Sequence, residues 1–165
     1  MFTNFEIIVF FLCYLIGSIP FGLIISKLLK IDDPRNIGSK NIGATNMMRI
    51  NGWKLGVLTL LLDISKAYIP IIILLKFFYF VHIEIAFLAI FLGHLFPIWI
   101  KFRGGKGIAV LIGSLLAYNP FYGYIFILIW LITAILTKYS SLAALVALIS
   151  VFIFILFENN SLSVV

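Results

Sequence analysis

The feature that most limits what this chain can fold into is a series of long apolar runs, each closed by a short polar one. Candidate membrane helices lie at 5–26, 55–75, 85–100, 108–118, 121–137 and 141–157. About 20 apolar residues at ~1.5 Å rise per residue cross a hydrocarbon core. The run at 108–118 gives only about 16 Å of helix; Asn119-Pro120, a pair that favours turn initiation, then ends it. Of 165 residues, 64% are hydrophobic and 11% charged, against about 25% charged in a typical soluble domain. The expected fold is all-α: a polytopic integral-membrane helical bundle of about six spans, one domain over 1–165, with both termini on the outer side. Cys13 is the single cysteine, which excludes a disulfide framework or a cysteine metal cluster. The net charge of +6 fits loops that face anionic lipid better than it fits nucleic acid. Glu6 is the only charge before Lys27, so the first run lacks a basic leader and reads as a retained span.

Two polar stretches stand out against this background. Residues 38–49 read Gly38-Ser39-Lys40-Asn41-Ile42-Gly43-Ala44-Thr45-Asn46-Met47-Met48-Arg49. Glycines permit close backbone approach, and successive N–H groups in such turns can form an anion-binding nest. Ser39, Asn41, Thr45 and Asn46 add short hydrogen-bonding side chains; Lys40 and Arg49 add charge. A plain connecting loop is the other reading. The stretch lies within Lys27–Lys54, which holds six of the twelve basic residues, and the positive-inside tendency puts it in the cytoplasm. A short interfacial helix fits around 44–50. The second stretch, Lys101-Phe102-Arg103-Gly104-Gly105-Lys106-Gly107, has the same character and falls on the same side in this topology. Two glycine-rich basic loops on one face are hard to explain as connectors. The second is not a P-loop, because no G-x-x-x-x-G-K-[ST] follows a strand.

Polar residues inside the apolar runs are fewer. Gly17-Ser18-Ile19-Pro20-Phe21-Gly22 interrupts the first, either as a tolerated kink or as a bend shaping a pocket wall. Asp63 and Lys66 stand at i and i+3 on one helix face and can pair. Charges at that depth are expensive, so the pair either orients its helix or supports the polar loops. His94 lies nine residues before Arg103 and reads equally as a packing residue or a functional one.

The chemistry can be narrowed. Six Asp/Glu and two His, with His82 and His94 expected near opposite faces, leave little for a dinuclear metal site. No G-x-S-x-G elbow is present. An H-x-x-x-x-D acyltransferase motif is excluded, because Trp99 stands at that spacing from His94. What remains is group transfer that depends on positioning and charge stabilisation, or transport or binding of organic phosphates. Polar groups collected at one face favour transfer.

In order along the chain, Gly17-Ser18-Ile19-Pro20-x-Gly22, Gly38-Ser39-x-Asn41-Ile42-Gly43-Ala44-Thr45-Asn46-x-x-Arg49, Asp63-x-x-Lys66, Gly93-His94-x-Phe96-Pro97, Gly104-Gly105-Lys106-Gly107-x-Ala109 and Ser140-Ser141-Leu142-Ala143 resemble the PlsY family. These are bacterial integral-membrane acyl-phosphate:glycerol-3-phosphate acyltransferases. The resemblance implies acyl transfer from acyl-phosphate to the sn-1 hydroxyl of glycerol 3-phosphate, giving lysophosphatidic acid and phosphate, the first step of phospholipid synthesis. It implies no cofactor, no metal, and a location in the bacterial inner membrane with the site facing the cytoplasm. It assigns His94, Ser39 and Asn41 to catalysis. Substrate binding falls to Ser39, Lys40, Asn41, Gly43, Thr45, Asn46, Arg49, Arg103, Gly104, Gly105 and Lys106, with Asp63 and Lys66 in support. The partners expected are the two substrates and the bilayer; the oligomeric state is left open. The family usually has glycine at Lys40, lysine at Arg103 and threonine at Val110. It also continues into a seventh helix and a His-x-x-Asn motif, which the ending Ser161-Leu162-Ser163-Val164-Val165 does not match. The chain therefore reads as shortened, with an inactive remnant as a further alternative.

Overall fold

The structure, a computed structural model, describes residues 3–78 and 81–162, with side chains to 158. Its elements are α1 (Asn4–Gly17), α2 (Phe21–Leu28), α3 (Ala44–Asn51), α4 (Trp53–Phe77), α5 (Ile83–Leu95), a 3₁₀ turn (Ile98–Ile100), α6 (Ile108–Tyr118), α7 (Pro120–Thr137) and α8 (Ser140–Leu162). No strand occurs among the described residues. Two compact units result, one ending at Tyr118 and one beginning at Asn119.

In the first unit α1 packs along α5, and α4 packs along α6 and α3. The contacts are close because glycines stand where backbones meet. A Cβ on Gly17, Gly93 or Gly113 would come within 2.3 Å of the carbonyl oxygens of Ile90, Tyr14 and Ile64 respectively. Small residues at such crossings are the usual device of membrane helices, where dispersion rather than water exclusion holds neighbours together. Val9, Cys13, Ala67, Ile71, Ala89, Ile90 and Val110 fill the interior. Ile8, Phe11, Leu61, Ile69 and Leu88 face outward, as lipid-facing side chains do.

α1 starts with a capping box: Glu6 N–H donates to Thr3 Oγ1 (3.2 Å) and Thr3 N–H to Glu6 Oε2 (2.8 Å). It stops before Pro20, and α2 resumes at an angle of 41°. Leu23 N–H and Ile24 N–H both bond Pro20 O, so the carbonyl of Ile19 is freed from the helix. The interfacial helix expected at 44–50 is α3.

Four segments are long and apolar enough to cross a membrane: α4, α5 through the 3₁₀ turn, α7 and α8. The bent α1–α2 pair makes a fifth, and α6, at 11 residues, is too short alone. The six apolar runs are thus all helical, but not six equal spans. Ser140-Ser141, at the head of the last apolar run, suggests a serine cap, which the structure does not use. α8 begins at Ser140 itself, and Ala143 N–H bonds Tyr139 O (3.0 Å), so Tyr139 holds the cap position. Residues 158–162, a largely polar stretch, continue α8; residues 79–80 and 163–165 lie outside the described residues.

The second unit is a helical hairpin. Asn119 caps α7 by accepting from Phe121 N–H (3.0 Å), with Pro120 at the first helical position. Tyr122 Oη donates to Glu158 (2.5 Å), and the Phe121 and Phe154 rings meet edge-on at 5.5 Å.

Candidate functional site

The first polar stretch is a loop knitted from within. Arg35 forks onto Asp33, with Nη2 to Oδ2 at 2.6 Å and Nε to Oδ1 at 3.0 Å. The Arg35 hydrogen bonds hold the Asp33 carboxyl below the usual carboxylate range. Beyond this turn the loop wraps Asn46, which is 1% exposed. Asn46 Oδ1 accepts Ser39 N–H (2.9 Å), and Nδ2 donates to the carbonyls of Pro34 (2.8 Å), Asn41 (2.9 Å) and Ile37 (3.1 Å). Gly38 takes φ +64°, and a Cβ there would lie 2.3 Å from Asn46 Oδ1. Asn41 Oδ1 accepts Gly43 N–H (2.9 Å). Lys40 sits at φ +57°, a left-handed conformation that costs an L residue about 1–2 kcal/mol.

These bonds correct one expectation. The amides of Ser39, Lys40 and Gly43 are used inside the loop, and those of Gly104 and Gly105 donate to Leu95 O (3.0 Å) and His94 O (3.1 Å). Neither loop offers these amides as an anion nest. Asn46 likewise turns inward, so it builds the loop instead of presenting a side chain to a ligand. The open groups are the first-turn amides of Ala44 and Thr45, which α3 itself leaves unpaired, and the exposed side chains of Ser39, Lys40, Thr45 and Arg49. Arg103 and Lys106 are also exposed. None of Lys40, Arg49, Arg103 and Lys106 has a carboxylate partner among the described residues; the ion pairs there are Arg35–Asp33, Lys66–Asp63, His82–Glu6 and His94–Asp63.

A second cluster is buried. Lys66 Nζ lies 2.7 Å from Asp63 Oδ1, 2.8 Å from Ile19 O and 2.9 Å from His94 Nδ1. Asp63 Oδ1 has no aligned hydrogen bond, so its contact with Lys66 is an ion pair by distance. Phe21 presents its ring 5.7 Å from the ammonium. His94 is 4% exposed, near the end of α5, and its Nε2 faces the backbone of Gly105: a Cβ there would stand 2.3 Å from Nε2. Lys66 stands thirteen residues after Trp53, where α4 begins, about 20 Å along its axis. Tyr14 Oη donates to Phe96 O (2.7 Å) and ties α1 to the chain just past His94.

Two groupings follow. Asp63, Lys66, His94, Gly104 and Gly105 come together directly. Ser39, Asn41, Gly43 and Asn46 form the other group, with Thr45 and Arg49 on the adjoining helix. α2 links them: Ile19, just before it, bonds Lys66, and Gly22 within it packs against Ile42 O of the loop. The sequence did not reveal Ile19 as a ligand of Lys66, although the Pro20 break was the signal for a freed carbonyl. Among the described residues, no three His, Cys, Asp or Glu side chains gather as a metal ion would need.

Fold and site together define a polytopic helical membrane protein with exposed cations on short polar loops and a buried Asp–Lys–His cluster. The chain matches the family model for glycerol-3-phosphate acyltransferase over residues 7–165. It is 52% identical over 147 residues to the glycerol-3-phosphate acyltransferase of Pelagibacter ubique, covering 88% of this chain and 76% of that one. It is 47% identical over 155 residues to that of Bartonella quintana, covering 91% and 73%. Among solved structures it is similar to PlsY, an integral membrane glycerol 3-phosphate acyltransferase. The TM-score is 0.87 at 39% identity for the glycerol 3-phosphate form, covering 94% of this chain and 78% of that one. For the lysophosphatidic acid form the TM-score is 0.86 at 38% identity. The chain belongs to the glycerol-3-phosphate acyltransferase family and is an integral-membrane acyltransferase.

Proposed function

We propose that this protein transfers a fatty acyl group from acyl-phosphate to the sn-1 hydroxyl of glycerol 3-phosphate, giving lysophosphatidic acid and inorganic phosphate. The carrying observation is that Arg49 on α3 and Arg103 and Lys106 on the 101–107 loop are exposed cations without a carboxylate partner among the described residues. Related enzymes are known in glycerol 3-phosphate and lysophosphatidic acid forms, and both molecules carry a phosphate such cations would bind. In the reaction the hydroxyl oxygen attacks the acyl carbonyl carbon, the bond from that carbon to the phosphate oxygen breaks, and the leaving phosphate takes the hydroxyl proton. The donor is an activated anhydride, so the protein's work is positioning and charge stabilisation.

On this reading Arg49 and Arg103 hold phosphate, the guanidinium fork suiting its oxygens, while Lys40 and Lys106 add charge. Ser39, Thr45 and the Asn41 amide fix the glycerol and the reacting end, with His94 beside them. Asn46, Gly43, Gly104 and Gly105 shape the walls, and Asp63 with Lys66 supports them. No cofactor takes part. The basic residues gathered between α2 and α4 support a site facing the cytoplasm at a bacterial inner membrane.

The test is purified protein in proteoliposomes with palmitoyl-phosphate and glycerol 3-phosphate. Equal release of lysophosphatidic acid and phosphate is expected. Product from palmitoyl-CoA but not from palmitoyl-phosphate overturns the donor. Uptake of glycerol 3-phosphate without phosphate release replaces the enzyme with a transporter.

A further inference from the structure

We propose that Lys66 is a positioning residue that acts through His94: its ammonium holds the imidazole as the neutral Nε2–H tautomer and aims that N–H at the anionic substrate. This deepens the acyl-transfer reading and rests on it for the identity of the substrate.

An ammonium has three N–H donors and no acceptor. Lys66 Nζ is surrounded by three oxygen or nitrogen neighbours: Asp63 Oδ1 at 2.7 Å, Ile19 O at 2.8 Å and His94 Nδ1 at 2.9 Å. The two oxygens can only accept, and the 2.7 Å approach of Nζ to Asp63 Oδ1 is the geometry of an ion pair. An ammonium cannot accept, so at 2.9 Å it donates to His94 Nδ1, which must offer its lone pair. A doubly protonated ring has no lone pair to offer and would set one cation against another at 2.9 Å. With Nδ1 as acceptor, the ring proton resides on Nε2.

The charged groups facing the ring from α4 are Asp63 and Lys66; from the α1–α2 break comes a backbone carbonyl, and from the 101–107 loop the backbone of Gly105. Nε2 has no hydrogen-bond partner among the described residues and is not one of the polar atoms sealed from solvent. Gly105 has no side chain to cover it, and any Cβ there would collide with it at 2.3 Å. A lone donor left open beside the segment that carries Arg103 and Lys106 suits an anion. It also cannot accept a proton, which separates His94 from the role of general base.

The test uses the His82→Gln protein, which leaves a single histidine, labelled with 15N on the ring. A pyridine-type Nδ1 and a pyrrole-type Nε2 are expected, and glycerol 3-phosphate should shift the Nε2–H resonance. Lys66→Arg, also a pure donor, keeps this pattern. Lys66→Met gives a mixture of tautomers. Because that change alone leaves Asp63 buried without its counter-charge, the same spectrum is taken for the Asp63→Asn/Lys66→Met pair. A protonated Nδ1 in the parent, or an unchanged single tautomer in the paired variant, overturns the proposal. In the acyl-transfer assay His94→Gln, which keeps an N–H near the Nε2 position, should stay within about tenfold of the parent, and His94→Phe should lose on the order of 100-fold. Equal loss in both overturns the donor role. The expected tautomer and shift without acyl transfer would leave the positioning intact and remove the reaction instead.

Discussion

In the loop from Pro34 to Asn46 the buried polar groups are neutral and come from nearby in the chain. Around Lys66 they include an ion pair, and they come from α4, the α1–α2 break and α5. Asn46 reaches partners five to twelve residues away, whereas Lys66 reaches across 28 and 47 residues. The loop's bonds are therefore local in sequence, while the cluster's depend on the packing of α1, α4 and α5. Asn46 engages both its Oδ1 and its Nδ2 inside the loop, whereas Asp63 Oδ1 is held by charge alone; in both regions the open chemistry is left to groups at the rim. They differ in what happens when a member is removed: a neutral network loses its bonds, while a charged one also strands a charge.

That difference can be broken deliberately. The largest effect is expected for Asp63→Leu, which leaves Lys66 without its counter-ion and should destabilise the folded protein by about 3–5 kcal/mol in detergent unfolding. Asp63→Leu/Lys66→Met should recover most of it, and a neutral single variant would mean the pair is solvated. Next comes Asn46→Ala, which abandons one amide and three carbonyls and should cost about 2–3 kcal/mol. Limited proteolysis should then cut first between residues 34 and 46. Arg49→Ala should leave stability unchanged and raise the KM for glycerol 3-phosphate about 10–100-fold; an unchanged KM removes Arg49 from binding. The smallest effect is Lys40→Gly. Relief of the left-handed backbone should stabilise by roughly 0.5–1 kcal/mol, after glycine's greater unfolded-state freedom is deducted. A loss of stability would show that the Lys40 side chain holds the loop.

The sequence carried the apolar runs, the break at Pro20 and the two basic loops, because each is a local pattern. The Asp63–Lys66 pair was legible too, since i and i+3 share a helix face. The partners of Lys66 were not, because they depend on how α1, α4 and α5 pack against one another. Asn46 was misjudged for a different reason: an asparagine facing inward and one facing a ligand look alike in a loop rich in both glycine and polar residues. Gly104 and Gly105 were expected to lend their amides to an anion. Only the structure reveals that those amides fold back onto the end of α5.

The freed carbonyl of Ile19 has one more consequence. A membrane helix interrupted by proline usually works as a joint, because a backbone acceptor has lost its donor and the two halves can swing. Here Leu23 N–H, the helical donor Ile19 O would otherwise receive, bonds Pro20 O, and Lys66 takes its place from the neighbouring helix. α2 is then tied to α4 at its start, and Gly22 seats the 34–46 loop directly upon it. The bend is thus held at two points, by Pro20 along the chain and by the Lys66 bond to Ile19 O from α4.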